Sequence, residues 1–175
     1  MKKSVREIVI SAIALMVIAA VVTAALAATN LLTKDKIDTL LTEKETAARA
    51  EVIADAEFEE ATLADGNSYY IAKKNGETVG YIFTVVSKGK SSGLTVMTGV
   101  DVDGKVIAVK ITNDEETAGY VDRIVKEGFL DKMVGKSDVS DVDTVSNATK
   151  TSDGVRKAVK KALEYYQQVK GGVAA

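Results

Sequence analysis

From Ile8 to Thr33 the chain runs 26 residues without a charged side chain. As an α-helix this stretch reaches roughly 39 Å, enough to cross a hydrocarbon core of about 30 Å. Ile8, Val9, Ile10, Ile13, Leu15, Val17, Ile18, Val21, Val22 and Leu26 are strongly apolar. At roughly 0.3–0.6 kcal/mol each they favour insertion by about 3–6 kcal/mol. Lys2, Lys3 and Arg6 precede the run, so the positive-inside rule puts the N-terminus in the cytoplasm and everything after Thr33 outside. Residues 1–33 are thus expected to hold a cytoplasmic N-terminus and a transmembrane helix. Ala24 to Ala28 also imitate the small-residue cleavage site of a secretory signal. The apolar run exceeds the usual 7–15-residue core of such signals, however, and a helical pattern continues past the site, which favours the anchor. Either reading leaves the rest of the chain extracytoplasmic.

From Leu31 to Leu63 the residues turn to Ala, Glu, Lys, Asp and Thr, with Ile37, Leu40, Leu41, Ala48, Val52, Ile53, Ala56 and Phe58 at mostly helical spacing. This predicts a solvated helical stalk over 34–66, open to a break near Thr42 to Thr46. Ala64-Asp65-Gly66-Asn67 punctuates the chain. Beyond it, Tyr69 to Lys73 and Thr78 to Val86 flank Asn75-Gly76, and Leu94 to Val102 and Lys105 to Thr112 flank Asp103-Gly104. Both dipeptides predict type I′ hairpins. The polar loop Ser87 to Gly93 between them has the Gly and Ser content that lets a ligand approach backbone, although such loops are commonly plain connections. Short helical stretches follow around Tyr120, Ile124 and Val125, and around Phe129, Leu130, Met133 and Val134 up to Gly135. In the last helix Val155, Ala158, Val159, Ala162, Leu163 and Tyr166 line one face. The expected class is α+β: an antiparallel sheet of two hairpins covered by helices, with residues 67–175 as an extracytoplasmic domain.

Composition narrows the chemistry. The chain has 175 residues and no His, Cys, Pro or Trp. Without Cys there is no disulfide, thiolate metal site or cysteine nucleophile. Without His there is no imidazole base, no Ser-His-Asp triad and no usual haem ligand. No metal site is expected, and redox chemistry would need an organic cofactor. The net charge of −2 argues against a nucleic-acid-binding surface.

One segment is rich in small hydroxyl residues: Asp143-Thr144-Val145-Ser146-Asn147-Ala148-Thr149-Lys150-Thr151-Ser152, immediately before the last helix. Orphan N–H groups and the positive end of the dipole at a helix start favour a bound anion, phosphate above all. A plain helix cap by Thr149, Thr151 or Ser152 is the competing reading, and the two are compatible.

Asp143-x-x-Ser146-Asn147-Ala148-Thr149 resembles the flavinylation pattern Asp-x-x-Ser/Thr-Gly-Ala-Thr of the FMN-binding domain found in the G subunit of Rnf electron-transport complexes and the C subunit of sodium-pumping NADH:quinone reductases. The continuation Lys150-Thr151-Ser152, the Val100 to Val106 hairpin, Glu116-Thr117-Ala118-Gly119 and the N-terminal membrane helix with its stalk are also similar to that family, in its order. Asn147 stands where the family has Gly; Asn tolerates a left-handed backbone better than other non-Gly residues. Ala118, Tyr120 and Val121 depart from the family's Glu-Thr-Pro-Gly-Leu-Gly element.

The resemblance implies FMN joined covalently through its phosphoryl group to Thr149. It also implies phosphate contacts from Ser146, Asn147, Ala148, Thr151 and Ser152, and Glu116, Thr117 and Gly119 beside the flavin ring. Leu94 and Met97 are candidates to pack on the flavin, against a plain core role for both. Asp143 is expected to order the loop or to be read by the attaching enzyme. No base in the chain could activate Thr149 as a His would, which argues against self-attachment; the resemblance instead implies an extracytoplasmic flavin transferase using FAD and a divalent metal, and the other subunits of a membrane electron-transport complex, as partners, beside the lipid bilayer expected for the N-terminal helix. The implied role is electron relay in an Rnf-type ion-translocating ferredoxin:NAD oxidoreductase, not catalysis by this chain alone. A free-standing surface flavoprotein and a cofactor-free extracytoplasmic adaptor are the alternatives.

Overall fold

A computed structural model describes residues 2–91, 93–114, 116 and 118–172, with the side chains of 2–7, 25, 27–42 and 114 left out. Helix α1 runs Lys2–Val52, followed by strands β1 (Glu57–Thr62), β2 (Ser68–Lys74), β3 (Glu77–Lys88), β4 (Gly93–Asp101) and β5 (Val106–Asp114), then helix α2 (Tyr120–Lys126), a 3-10 turn at Asp131–Met133, and helix α3 (Thr149–Lys170). The chain divides into two compact units, Met1–Glu43 and Lys44–Ala175.

In the first unit the apolar side chains from Ile8 to Val22, together with Leu26, are 49% to 74% exposed. Among the described residues no helix is long and apolar enough to cross a membrane. The expected span from Ile8 to Thr33 extends past Ala24 into side chains that, Leu26 aside, lie outside the described ones.

The second unit is built on a five-stranded antiparallel meander in the order β1-β2-β3-β4-β5. Both expected hairpins are present, and the expected stalk is corrected. Its helix continues without a break through Thr42 to Thr46 but stops at Val52, where Asp55 takes a left-handed φ of 54°. Residues 57–62 then form an edge strand on β2. Its half-buried residues, Phe58 and Ala61, are three apart and so lie on opposite faces of the strand, Phe58 against the cluster of Ala72, Ile82 and Met97 and Ala61 against the larger core.

The hairpin turns differ. Asn75 and Gly76 both have positive φ, 52° and 85°, the type I′ geometry expected. At the second hairpin only Gly104 is left-handed, with φ 85°. The Asp101 carboxylate accepts from the amides of Asp103 at 2.9 Å and Lys105 at 2.8 Å, and Gly104 N–H donates to Asp101 O. The result is a three-residue loop closed by a glycine bulge.

The sheet is covered on both faces. On one, Val155, Ala158, Val159, Ala162, Leu163 and Tyr166 of α3, all six as expected from the helical pattern, pack with Tyr69, Phe83, Leu94, Val96 and Val100. On the other, Ala48 and Val52 of α1, with Ile53, meet Ala72, Ile82 and Met97. Gly99 admits the close approach: a Cβ there would stand 2.5 Å from Val52 Cγ1.

Candidate functional site

The loop before α3 is closed from underneath. Ser152 Oγ accepts from the Val145 amide at 3.2 Å and donates to Ala148 O at 2.9 Å, while the Ser152 amide makes the first helical bond, also to Ala148 O. Ser152 is fully buried. Between these ties Asn147 takes a φ of 62°, so the left-handed turn expected of Gly survives with Asn. The chain then enters α3 with Ala148 as cap residue, and among the described residues no side chain caps the helix. The amides of Thr149, Lys150 and Thr151 precede the first helical bond and have no partner within the helix.

These residues form one wall of a cavity of about 200 Å³ lined by Lys90, Tyr120, Asn147, Ala148, Thr149, Lys150 and Thr151. Thr149, Asn147 and Ser146 are exposed, and Ala148 is buried behind them. The opposite wall comes from the β3–β4 loop and the start of α2. There the Lys90 ammonium stands over the Tyr120 ring, 4.2 Å from its centroid, and against its hydroxyl.

Glu116 bridges the two walls. Its Oε2 lies 3.4 Å from the buried Thr151 hydroxyl, and its Oε1 lies 3.4 Å from the Ser91 amide; both are long for hydrogen bonds. Space here is tight: a Cβ on Gly89 would fall 1.8 Å from Glu116 Oε1, and one on Gly154 would fall 2.7 Å from Lys88 O. The first turns of α3 and the β3–β4 loop thus touch through backbone at two glycines.

Of the residues picked from sequence, Asn147, Ala148, Thr149 and Thr151 line one cavity, with Glu116 against Thr151. Ser152 lies beneath, its hydroxyl and amide both used within the fold. Leu94 is fully buried in the larger core. Met97 belongs to the core on the other face of the sheet, against α1, so it is not brought to the cavity. Gly119, the left-handed cap residue of α2, lines a neighbouring cavity with Asp122, Arg123, Lys126 and Glu127. Thr117 lies outside the described residues. Lys90 and Tyr120 were absent from that set. Their only sequence signal is a basic, glycine-flanked loop and an aromatic in the second segment, 30 residues apart.

Below Thr149 the carboxyl of Asp153 is held below its ordinary range by hydrogen bonds from Lys157 and Arg156. Arg156 also donates to Val142 O at 3.1 Å, which ties the loop to the helix one turn inside the site.

The start of α3 sets backbone amides beside an exposed threonine hydroxyl, a geometry that suits an anion, and comparison with known proteins gives the class of the chain. Residues 89–164 match the family model of the FMN-binding domain, and residues 1–52, which include the whole of α1, match that of the RnfG N-terminal region. The chain thus joins an RnfG N-terminal region to an FMN-binding domain and is homologous to the G subunits of ion-translocating oxidoreductases. It is 28% identical to the G subunit of the Na(+)-translocating ferredoxin:NAD(+) oxidoreductase complex of Acetobacterium woodii, over 89% of each chain. It is 30% identical to the G subunit of the proton-translocating ferredoxin:NAD(+) oxidoreductase complex of Clostridium ljungdahlii, over 59% of this chain and 62% of the relative. The G subunit of the ion-translocating oxidoreductase complex of Vibrio parahaemolyticus is 32% identical over 57% of this chain and 54% of the relative. The matched stretch thus spans less than two thirds of two of these three relatives.

The residues present fit the phosphoryl end of FMN. The first residues of α3, with the exposed Thr149 hydroxyl, line the cavity together with Lys90 and Lys150, and both lysines are cationic. At about 200 Å³ it is smaller than the roughly 300–1,000 Å³ of a pocket that encloses a drug-sized ligand. That is room for a phosphoryl-sized group and not for a whole flavin.

Proposed function

We propose that this chain is the FMN-carrying subunit of a membrane ion-translocating ferredoxin:NAD oxidoreductase complex, with FMN held covalently on Thr149. The observation that carries this reading is the position of Thr149: exposed, first in α3, beside amides that no side chain caps, within the residues matching the FMN-binding domain. An anion there gains about 0.3–1 kcal/mol from the helix dipole, up to about 2 when partly buried.

Thr149 Oγ1 would be the atom that takes the FMN phosphoryl group, with FAD as donor, the pyrophosphate bond broken, AMP as the leaving group and the hydroxyl proton passing to solvent. A separate extracytoplasmic transferase with a divalent metal performs this step, because the chain has no His to serve as base. The exposed Asp143, six residues before Thr149, is open to that enzyme. Bound FMN accepts and donates electrons singly or in pairs. The chain's own part is to fix the phosphoryl end with the α3 amides and to hold the facing wall through Glu116.

The apolar, exposed side chains of α1 and the three cations before them support a single-pass anchor with the N-terminus in the cytoplasm. The Lys44–Ala175 unit then lies outside, among the partner subunits. Expressed with its transferase and run on a denaturing gel, the chain fluoresces as flavin and Thr149→Ala is dark. A dark wild-type chain from its own host membranes favours a cofactor-free adaptor instead. Co-purification without polytopic subunits favours a free-standing flavoprotein.

A further inference from the structure

The group on Thr149 carries negative charge, and the cavity wall facing it holds an ammonium that no turn or helix of the fold requires. Lys90 forms no ion pair among the described residues. Its side chain is exposed, yet its backbone is pinned. Gly89 has no room for a Cβ against Glu116 and Leu94, and Lys88 O lies against Gly154 of α3. The fold therefore fixes where the side chain starts, and its exposed end rests on the Tyr120 ring and against the Tyr120 hydroxyl. Lys150, the other cation on the cavity, rises from α3 itself, the same wall as Thr149; Lys90 comes from across it.

We propose that Lys90 is a positioning residue of the flavin site: its ammonium pairs with the phosphoryl oxygens carried by Thr149, and its departure uncovers the Tyr120 ring toward the flavin. Lys90 gives up an exposed cation–π contact and a hydrogen bond to the neutral Tyr120 hydroxyl for a hydrogen bond in which both partners are charged, which is the stronger kind. The inference rests on the attachment of FMN at Thr149. It adds a residue from a different element and a contact that must break for the pair to form.

The test uses full-length protein made with its transferase, as wild type, Lys90→Gln, Lys90→Arg and Lys150→Gln. Near-ultraviolet circular dichroism confirms that each is folded. Lys90→Gln is expected to be flavinylated about tenfold more slowly at low salt, the effect of one charge-assisted hydrogen bond, with the difference shrinking as salt rises. In loaded protein, Lys90→Gln shifts the phosphorus-31 resonance of the phosphodiester and lowers the fluorescence anisotropy of the flavin, and Lys90→Arg restores both toward wild type. Loaded wild type and Lys90→Gln with the same resonance and anisotropy overturn the inference and leave FMN on Thr149 intact. A shift in Lys150→Gln alone also overturns it. Wild type without FMN overturns the attachment reading itself.

Discussion

At its C-terminal end α3 is tied to the sheet: the Tyr166 hydroxyl donates to Val102 O at 2.6 Å, its ring fills the space over Gly104, and the amides of Gly171 and Gly172 satisfy Gln167 O and Val169 O. At its N-terminal end the polar groups are satisfied one layer down, by Ser152, while the amides in front of them stay uncapped. One helix thus has a closed structural end and an open end that is held in shape from behind. Stability and anion binding are assigned to opposite ends of α3, so changes at the two ends should move different observables.

The largest difference is expected at the open end. Thr149→Ala removes all flavin attachment, yet unfolding in urea shifts by less than about 0.5 kcal/mol, the usual range for a surface change. A large loss of stability would show that Thr149 is a structural cap. Gly154→Ala comes next, because its Cβ would meet backbone at 2.7 Å. Overpacking costs about 1–3 kcal/mol, offset by about 1 kcal/mol of helix propensity. A net loss near 1 kcal/mol with slower flavinylation is expected, measured by denaturant titration and mass spectrometry. Tyr166→Phe keeps the ring and loses one hydrogen bond. It should cost about 0.5–1.5 kcal/mol and leave the attachment rate unchanged; a slowed rate would couple the two ends.

The smallest effect belongs to Asp153. Its half-exposed pairs with Arg156 and Lys157 are worth about 0.3–0.5 kcal/mol each. Because its folded carboxyl titrates below the ordinary value of 3.8, the contribution is complete above that pH and disappears as pH falls through the lowered value. Asp153→Asn should therefore be slightly less stable than wild type at pH 7 and equal to it in strong acid. A difference that grows on acidification would contradict the assignment.

Where local chemistry decides the outcome, the sequence was readable. The apolar stripe of α3, the Asn75-Gly76 turn and the left-handed Asn147 follow from side-chain spacing and backbone preference. Asp103-Gly104 misleads because the deciding group is elsewhere: the Asp101 carboxylate takes two loop amides and keeps Asp103 out of the left-handed region. Strand β1 hides behind its glutamates, since an edge strand needs only Phe58 and Ala61 half-buried. Met97 misleads for the opposite reason. Strand β4 is covered on both faces, so its apolar run does not reveal which residues face α3.

The cavity was legible only on its α3 side. The α3 wall is contiguous in sequence, and Glu116 beside Thr151 was picked through the family resemblance, whereas Lys90 and Tyr120 reach the cavity through the tertiary contacts of a loop and a helix start. Those contacts depend on two glycines whose role, leaving room for backbone and carboxylate, has no local signature.

The most direct test is a mass spectrum of native protein from its own host membranes. The peptide containing Thr149 should carry the mass of FMN less one water, with fragments assigning it to that residue. An unmodified Thr149 peptide, or FMN on another residue, would contradict attachment at Thr149.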